Sequence, residues 1–266
     1  MTIVPIYRIS DFSNPEKVKP DYASKENCLK NFVREFGKDN LYVICDKVVE
    51  ETYNMVCKYA DKEKVFLSQN GNTGTFLASL ELAKNLLEQV EESRREEIIF
   101  YFVEDDYIHR RGAAHILREA FVDLKADYVT LYDHPDKYQN LKDKRYEWGH
   151  GKVDLDSPEG VRYPKHLYGK GEDTRVYIST SVHWKRTSST TMTWATTSKN
   201  LLTDYDDMIN LHTGKPLPMG GVTFKMLKGK RKYLLSPIPS FSTHAEEKWM
   251  SYFIIGKKKQ DDYPLH

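Results

Sequence analysis

Hydrophobic and polar residues follow two alternating spacings along the first half of the chain. Short apolar runs typical of buried β-strands occur at 3–9, 41–45, 65–67, 98–103 and 128–132. Apolar residues at the three- and four-residue spacing of amphipathic helices lie between them, at 24–37, 49–59, 76–90 and 114–124. This order predicts a single-domain α/β protein with a mainly parallel central sheet and helices on both faces.

The second half has a weaker pattern. Strands are predicted at 175–179, 190–197 and 233–235, a helix capped by Ser198 over 198–211, and a closing helix at 249–255. Residues 237–244 are predicted to form a loop. The polar stretch 136–173 is predicted to be a long loop, and loops of this length are usually functional or disordered. One domain over 1–256 with a flexible tail at 257–266 is therefore expected.

Composition excludes several classes of protein. The chain has 266 residues with 40 Lys+Arg against 39 Asp+Glu, and this near-neutral balance argues against a nucleic-acid-coating protein. No apolar run reaches the about 18–20 residues of a membrane span, and the N-terminus does not resemble a secretory signal. The cysteines are odd in number and widely spaced, which favours reduced core thiols and a cytoplasmic location. The oligomeric state is not predicted.

Polar residues cluster where the predicted strands end. Arg8 and Ser10 end the first strand, Asp46 follows the second, and the turn 69–74 with Asn70 and Asn72 follows the third. Ligands of parallel α/β sheets bind beyond these carboxyl ends. Each residue also has a structural interpretation, as a surface side chain, a helix cap or a connecting turn.

Glu104, Asp105 and Asp106 directly follow the most apolar strand. Adjacent carboxylates repel one another and are best tolerated where a cation neutralises them; Mg²⁺ is typically held by one or two carboxylates together with phosphates. If the chain stays extended, Glu104 and Asp106 share a face. Asp106 is therefore predicted to bind the metal, and Glu104 or Asp105 to bind a ribose hydroxyl or support the metal ligand. The alternative is a solvated acidic turn.

Candidate residues for a second substrate lie later in the chain. Trp184 could stack on a sugar or lie in an exposed hairpin turn. Asp206 and Asp207 are candidate general bases on the predicted helix, or part of a solvated acidic face. His244 is a candidate second metal ligand. The 18 Tyr, 11 Phe and 4 Trp suit either a carbohydrate cleft or aromatic packing.

The order of these pieces resembles the GT-A nucleotide-sugar glycosyltransferases. The sequence around Arg8 and Ser10, Asp46, the Asn70–Gly74 turn and Val103–Tyr107 matches, and Glu104–Asp106 stands where that superfamily carries its DxD-type motif. Within that superfamily the chain resembles small enzymes of large DNA viruses and of bacterial surface-glycan loci, which implies a role in polysaccharide biosynthesis. The resemblance implies a nucleotide-sugar-binding half at 1–135 and an acceptor-binding half at 136–256.

The resemblance also implies a mechanism. Asp46 would recognise a pyrimidine base, which favours a UDP-sugar donor, and Asn70 and Asn72 would line the donor site. Asp106 with His244 would hold Mn²⁺ or Mg²⁺ against the diphosphate. Asp206, with Asp204 and Asp207 as alternatives, would deprotonate a glycan or other hydroxyl acceptor in an inverting reaction, whereas a retaining reaction would need no base on that face.

Two rival functions are open. A sugar nucleotidyltransferase would have a related sheet, but such enzymes usually carry a Gly-rich basic signature directly after the first strand, and residues 8–12 lack it. A non-catalytic protein that binds a glycan or a nucleotide is the other.

Overall fold

The computed structural model describes residues 1–12, 17–134, 176–187, 193–213, 230 and 232–251. The helices are α1 (Lys25–Phe36), α2 (Glu50–Tyr59), α3 (Gly71–Glu88), α4 (Glu92–Arg95), α5 (Ala113–Asp123) and α6 (Ser198–His212). The strands of the first half are β1 (Thr2–Ser10), β2 (Tyr42–Asp46), β3 (Val65–Ser68), β4 (Ile98–Glu104), β5 (Tyr107–His109) and β6 (Tyr128–Val129). Those of the second half are β7 (Val176–Ile178), β8 (His183–Thr187), β9 (Trp194–Thr197), β10 (Leu234–Ile238) and β11 (Ser242–His244). Short 3-10 helices lie at Lys62–Lys64 and Glu247–Trp249.

One large sheet organises the described residues. Its strand order is β3-β2-β1-β4-β9-β6-β10-β8-β7, and β5 and β11 form a separate two-stranded sheet. Within the described part of the chain, seven of the nine strands run in one direction, and β8 and β9 run against them. The predicted α/β fold with a mainly parallel sheet is therefore confirmed.

Two apolar cores cover the two faces of this sheet. Alternate residues of β1 and β4, such as Tyr7 and Tyr101, pack in one core with α1, α2 and α5. The residues between them, such as Ile6 and Phe102, pack in the other with α3 and α6. The prediction of helices on both faces is therefore confirmed, and side-chain alternation along β1 and β4 sends neighbouring residues to opposite cores.

The second half departs from the sequence prediction in several places. Trp184 is fully buried in β8 and its Nε1 donates to Ser179 Oγ at 2.8 Å, so it neither stacks on a sugar nor lies in an exposed turn. Thr197 rather than Ser198 caps α6, because its side chain accepts from Asn200 N. The loop predicted at 237–244 contains the end of β10 and the strand β11.

Other predictions fall on residues that the structure does not describe. The loop 136–173 lies in this region, as do the segment 252–255 of the predicted closing helix and the tail 257–266. The predicted division into a donor half and an acceptor half stays a prediction. No helix in the described stretches has the length and apolar character needed to span a bilayer.

Candidate functional site

A pocket of about 280 Å³ lies beyond the carboxyl ends of β1, β2 and β4. The side chains that line it come from these strand ends, from the segments that follow β1 and β2, and from the first turn of α3. The lining residues are Arg8, Ile9, Ser10, Phe12, Lys17, Asp46, Lys47, Gly71, Asn72, Thr75, Glu104, Asp105 and Asp106. The pocket thus lies where the strand-end rule for parallel sheets places a ligand site.

Arg8 and Glu104 form an ion pair on the floor of the pocket. They are partners in the β1–β4 register, so both side chains point to the α3 side, and Arg8 Nη2 lies 2.7 Å from Glu104 Oε1. Arg8 Nη1 also donates to Asn72 O and Asn72 Oδ1, both at 3.1 Å. Burial raises the pKa of Glu104, although Arg8 opposes that shift. Arg8 therefore joins three elements that line the pocket.

Asp46 fixes the start of α3. Its Oδ1 accepts a hydrogen bond from Gly71 N at 3.1 Å, and Gly71 has a φ of +70°, in the left-handed region that favours glycine. Asp46 thus satisfies one of the free N–H groups at a helix N-terminus, which is a capping role for α3 rather than for α2. Lys47, with a φ of +52°, turns the chain away from β2 and also lines the pocket.

Asp105 and Asp106 lie in a turn beyond the end of β4. The extended-chain alternation predicted for Glu104 and Asp106 is therefore wrong, because it stops at Glu104. Asp105 Oδ2 accepts from Ser10 N at 3.3 Å. Burial and the neighbouring Asp106 carboxylate raise the pKa of Asp105 to about 7.

Asp106 lies beside two ammonium groups and an imidazole. Its Oδ2 lies 3.0 Å from His244 Nε2, 2.9 Å from Lys17 Nζ and 3.8 Å from Lys19 Nζ. Burial would raise the pKa of Asp106, but His244, Lys17 and Lys19 outweigh it and hold that pKa below its usual value. Asp106 therefore stays an anion at neutral pH.

The small sheet brings His244 to the acidic turn. In the antiparallel pair of β5 and β11, His244 lies opposite Tyr107, and Ala245 N donates to Asp106 O at 2.7 Å. The pairing of β5 with β11 thus brings together Asp106 and His244, which are 138 residues apart in the sequence. The structure thus brings together the two residues predicted to bind a metal.

Other predicted residues lie further from the pocket. Asn70 directly precedes α3 and is not among the residues that line the pocket. Asp206 and Asp207 are exposed on α6, do not line the pocket, and Asp207 pairs with Lys230. Their catalytic role stays a prediction that the lining of this pocket does not support.

Sequence reasoning missed several residues that line the pocket or adjoin it. Lys17 and Lys19 return to Asp106 from a segment that follows β1, and Phe12 lines the pocket with 78% of its surface exposed. Thr75 donates to Gly71 O at 2.8 Å, and its Oγ1 lies 3.5 Å from Arg8 Nη1. One signal in the sequence could have indicated Lys17 and Lys19: two lysines lie two residues apart shortly after a strand. The segment that follows a strand of a parallel sheet borders the ligand site.

The residues around Asp106 offer only part of a ligand set for Mn²⁺ or Mg²⁺. In the described stretches, no group of three or more His, Cys, Asp or Glu side chains is arranged to hold a metal ion alone. Asp106 Oδ1, however, is buried and has no hydrogen-bond partner there. One carboxylate oxygen with a nearby imidazole fits a hard cation whose remaining ligands are phosphates and water. The residues therefore fit a cation that arrives with a phosphate ligand.

Comparison with known proteins adds a likeness of fold. No protein-family model and no curated protein matches the chain. Among solved structures, the chain is similar to CMP:2-keto-3-deoxy-manno-octonic acid synthetase complexed with CTP, with 12% identity and a TM-score of 0.45 over 89% of both chains. It is also similar to S. aureus TarS 1-349, with 12% identity and a TM-score of 0.41 over 89% of this chain and 58% of that one. Neither likeness assigns a role to a residue.

Proposed function

We propose that this protein is a glycosyltransferase that uses a nucleotide-diphosphate sugar, with a UDP-sugar favoured. One observation carries the proposal. A single pocket gathers Asp46, the start of α3, and Asp106 with His244 behind it. It thus combines a hydrogen-bond acceptor for a base, a helix N-terminus that favours anions, and a carboxylate–imidazole pair.

The pocket's parts match the parts of such a donor. The second oxygen of Asp46 can accept from a base N–H, and the exposed Phe12 ring can stack on that base. The first turn of α3 faces the diphosphate, since the N–H groups and dipole of a helix N-terminus stabilise anions. Glu104 is held by Arg8 and can accept from a ribose hydroxyl.

Asp106 and His244 would hold Mn²⁺ or Mg²⁺. When bound, the cation would supply a Lewis acid that offsets negative charge developing on the departing nucleoside diphosphate. The protein keeps Asp106 anionic through His244 and Lys17, and Arg8 keeps Glu104 in position. Glycosyl transfer also needs an acceptor hydroxyl, and the base that deprotonates it stays a prediction at Asp206, with Asp207 as the alternative.

Calorimetry with UDP- and GDP-sugars, with and without Mn²⁺, tests this function. We expect metal-dependent binding of one donor, followed by slow release of its nucleoside diphosphate by hydrolysis. The Asp106→Asn variant should lose both, whereas the matched Asp39→Asn variant, at an exposed residue before β2, should keep both. Full hydrolysis by Asp106→Asn would refute the assignment. Binding of free glycan without donor hydrolysis would support a non-catalytic binding protein.

A sugar nucleotidyltransferase is the second candidate, and one observation favours it. The sequence lacks a basic signature directly after β1, but Lys17, slightly further along the chain, lines the same pocket, and Lys19 lies 3.8 Å from Asp106. Such an enzyme would release inorganic diphosphate from a nucleoside triphosphate and a sugar substrate. Measuring diphosphate release from CTP and UTP with sugar phosphates or free sugar acids separates this reaction from donor hydrolysis.

A further inference from the structure

Lys17 and Arg8 are both cations of the pocket, but their surroundings differ. Arg8 is buried, and its guanidinium bonds to Asn72 and Glu104 at once. Among the described residues, the ammonium of Lys17 donates to one side chain only, Asp106, and 29% of the Lys17 side chain is exposed. Arg8 is therefore a fixed part of the pocket, whereas Lys17 can change its partner.

Asp106, the partner of Lys17, has more basic neighbours than one carboxylate needs. Asp106 has His244 at 3.0 Å and Lys19 at 3.8 Å in addition to Lys17. One carboxylate thus faces two ammonium groups and an imidazole, and releasing Lys17 would still leave Lys19 and His244 beside it. The loss of this bond therefore does not leave a buried carboxylate uncompensated.

We propose that Lys17 is an exchangeable counter-ion, which alternates between Asp106 and the diphosphate group of a bound ligand. The inference rests on the proposed function only in that the ligand carries a diphosphate, and it holds for a nucleotide sugar and for a nucleoside triphosphate alike. Charge-assisted hydrogen bonds to phosphate oxygens are strong, and lysine binds phosphate as a flexible point charge. Lys17 lines the pocket, and its ammonium lies 2.9 Å from Oδ2 of Asp106, another lining residue, so a ligand in the pocket would lie beside this side chain.

The exchange makes Lys17 and a divalent cation competitors for the same carboxylate. A cation at the unpartnered Asp106 Oδ1 would lie close to the ammonium at Oδ2 and would be repelled by it. A diphosphate removes this repulsion, because it draws the ammonium away. Lys17 therefore weakens cation binding without diphosphate and strengthens diphosphate binding without a cation.

Calorimetry with two simple probes tests the proposal on the full-length protein. Inorganic diphosphate is titrated in the presence of EDTA, and Mn²⁺ is titrated alone. In the Lys17→Met variant we expect diphosphate affinity to fall about tenfold, the size expected for a lost hydrogen bond between charged groups. We expect Mn²⁺ affinity to rise about fivefold, as for the loss of one partly exposed ammonium.

Two control variants make the result specific. Lys38→Met makes the same charge change at an exposed lysine, 3.9 Å from Asp61 and outside the pocket lining, and should leave both affinities unchanged. Lys17→Arg keeps the charge and should recover most of the diphosphate affinity. Thermal unfolding of each variant confirms that it is folded before the titrations are compared.

The outcomes separate this inference from the proposed function. It is overturned if the wild type does not bind diphosphate, if Lys17→Met binds it as the wild type does, or if Mn²⁺ affinity does not rise. Glycosyl transfer is judged by donor hydrolysis alone, so a protein that shows both affinity changes without hydrolysing any donor would support the counter-ion and refute the transferase.

Discussion

Mild acid should destabilise this protein through one buried imidazole. His109 on β5 is 1% exposed, its Nε2 lies 2.7 Å from Tyr101 Oη, and its ring meets those of Phe32 and Phe36 at centroid distances of 5.3 and 5.2 Å. Burial lowers the pKa of His109 to about 3. His109 lies on β5, which pairs with β11, and β11 carries His244, the residue beside Asp106.

The sign and size of the effect follow from proton linkage. In the unfolded chain a histidine has its ordinary pKa of about 6.5, so between that value and the folded value the unfolded state binds more protons. Stability is therefore lost as pH falls through this window. From pH 7 to pH 5 the contribution of His109 is a loss of about 2 kcal/mol. A folded pKa one unit higher would hardly change this figure, because pH 5 would still lie above it.

Urea denaturation at pH 7 and pH 5, followed by tryptophan fluorescence, measures this loss. His109→Gln lacks the titrating ring, so its free energy of unfolding should fall less than that of the wild type over this range, by about 2 kcal/mol. His115→Gln removes a histidine whose side chain is 71% exposed on α5, and should behave as the wild type. An equal pH-dependent loss in His109→Gln and in the wild type would refute the reasoning.

Three further predictions concern the pocket and its support. Arg8→Met should lower the free energy of unfolding by about 3 kcal/mol because Glu104 loses its buried partner, and adding Glu104→Gln should recover part of it in urea denaturation. Asp204→Asn should cost about 3 kcal/mol in the same assay, since this buried carboxylate accepts from a tyrosine and two lysines. Gly71→Ala should cost about 1 kcal/mol at its positive φ and weaken UDP binding in calorimetry, whereas Gly37→Ala, also at a positive φ, should change stability alone.

The strand ends of the first half could be predicted because local pattern and sheet geometry agree there. In parallel strands the carboxyl ends meet at one edge, and the register indeed pairs Ser10 with Asp46 and Arg8 with Glu104. A short apolar run followed by polar residues shows where a strand ends and which side chains reach the sheet edge, and it does so without any knowledge of distant contacts. The prediction of a pocket at this edge rests on the same rule.

The rest of the site depends on contacts that local pattern does not encode. Lys17 reaches Asp106 from a segment held by a distant residue, because Val18 O accepts a hydrogen bond from Glu247 N at 3.0 Å. His244 was named from its position after the last strand, but the pairing of β11 with β5 that carries it to the site was not predicted.

The acidic residues of α6 show a second limit of prediction from local sequence. Asp204, Asp206 and Asp207 lie close together in sequence on α6, and their spacing does not say which faces a ligand. The structure buries Asp204 against Tyr128 and leaves Asp206 and Asp207 exposed, because the apolar side of the helix decides its rotation. A catalytic base cannot be chosen from such a cluster without knowing where the acceptor binds.

The balance of charge around the pocket connects the counter-ion with the metal. Four carboxylates and three cationic side chains line it: Asp46, Glu104, Asp105, Asp106, Arg8, Lys17 and Lys47. With Arg8 paired to Glu104 and Lys17 paired to Asp106, little positive charge in the lining is left for a diphosphate, so a diphosphate that enters needs a cation with it or an ammonium that turns to it. Mn²⁺ bound at Asp106 would supply such a cation, and Lys17 released from Asp106 would supply such an ammonium. Each favours the other once the diphosphate is present. The chain's net charge of +1 does not reveal this local need, because a sum over 266 residues does not show which charged groups are already paired within one pocket.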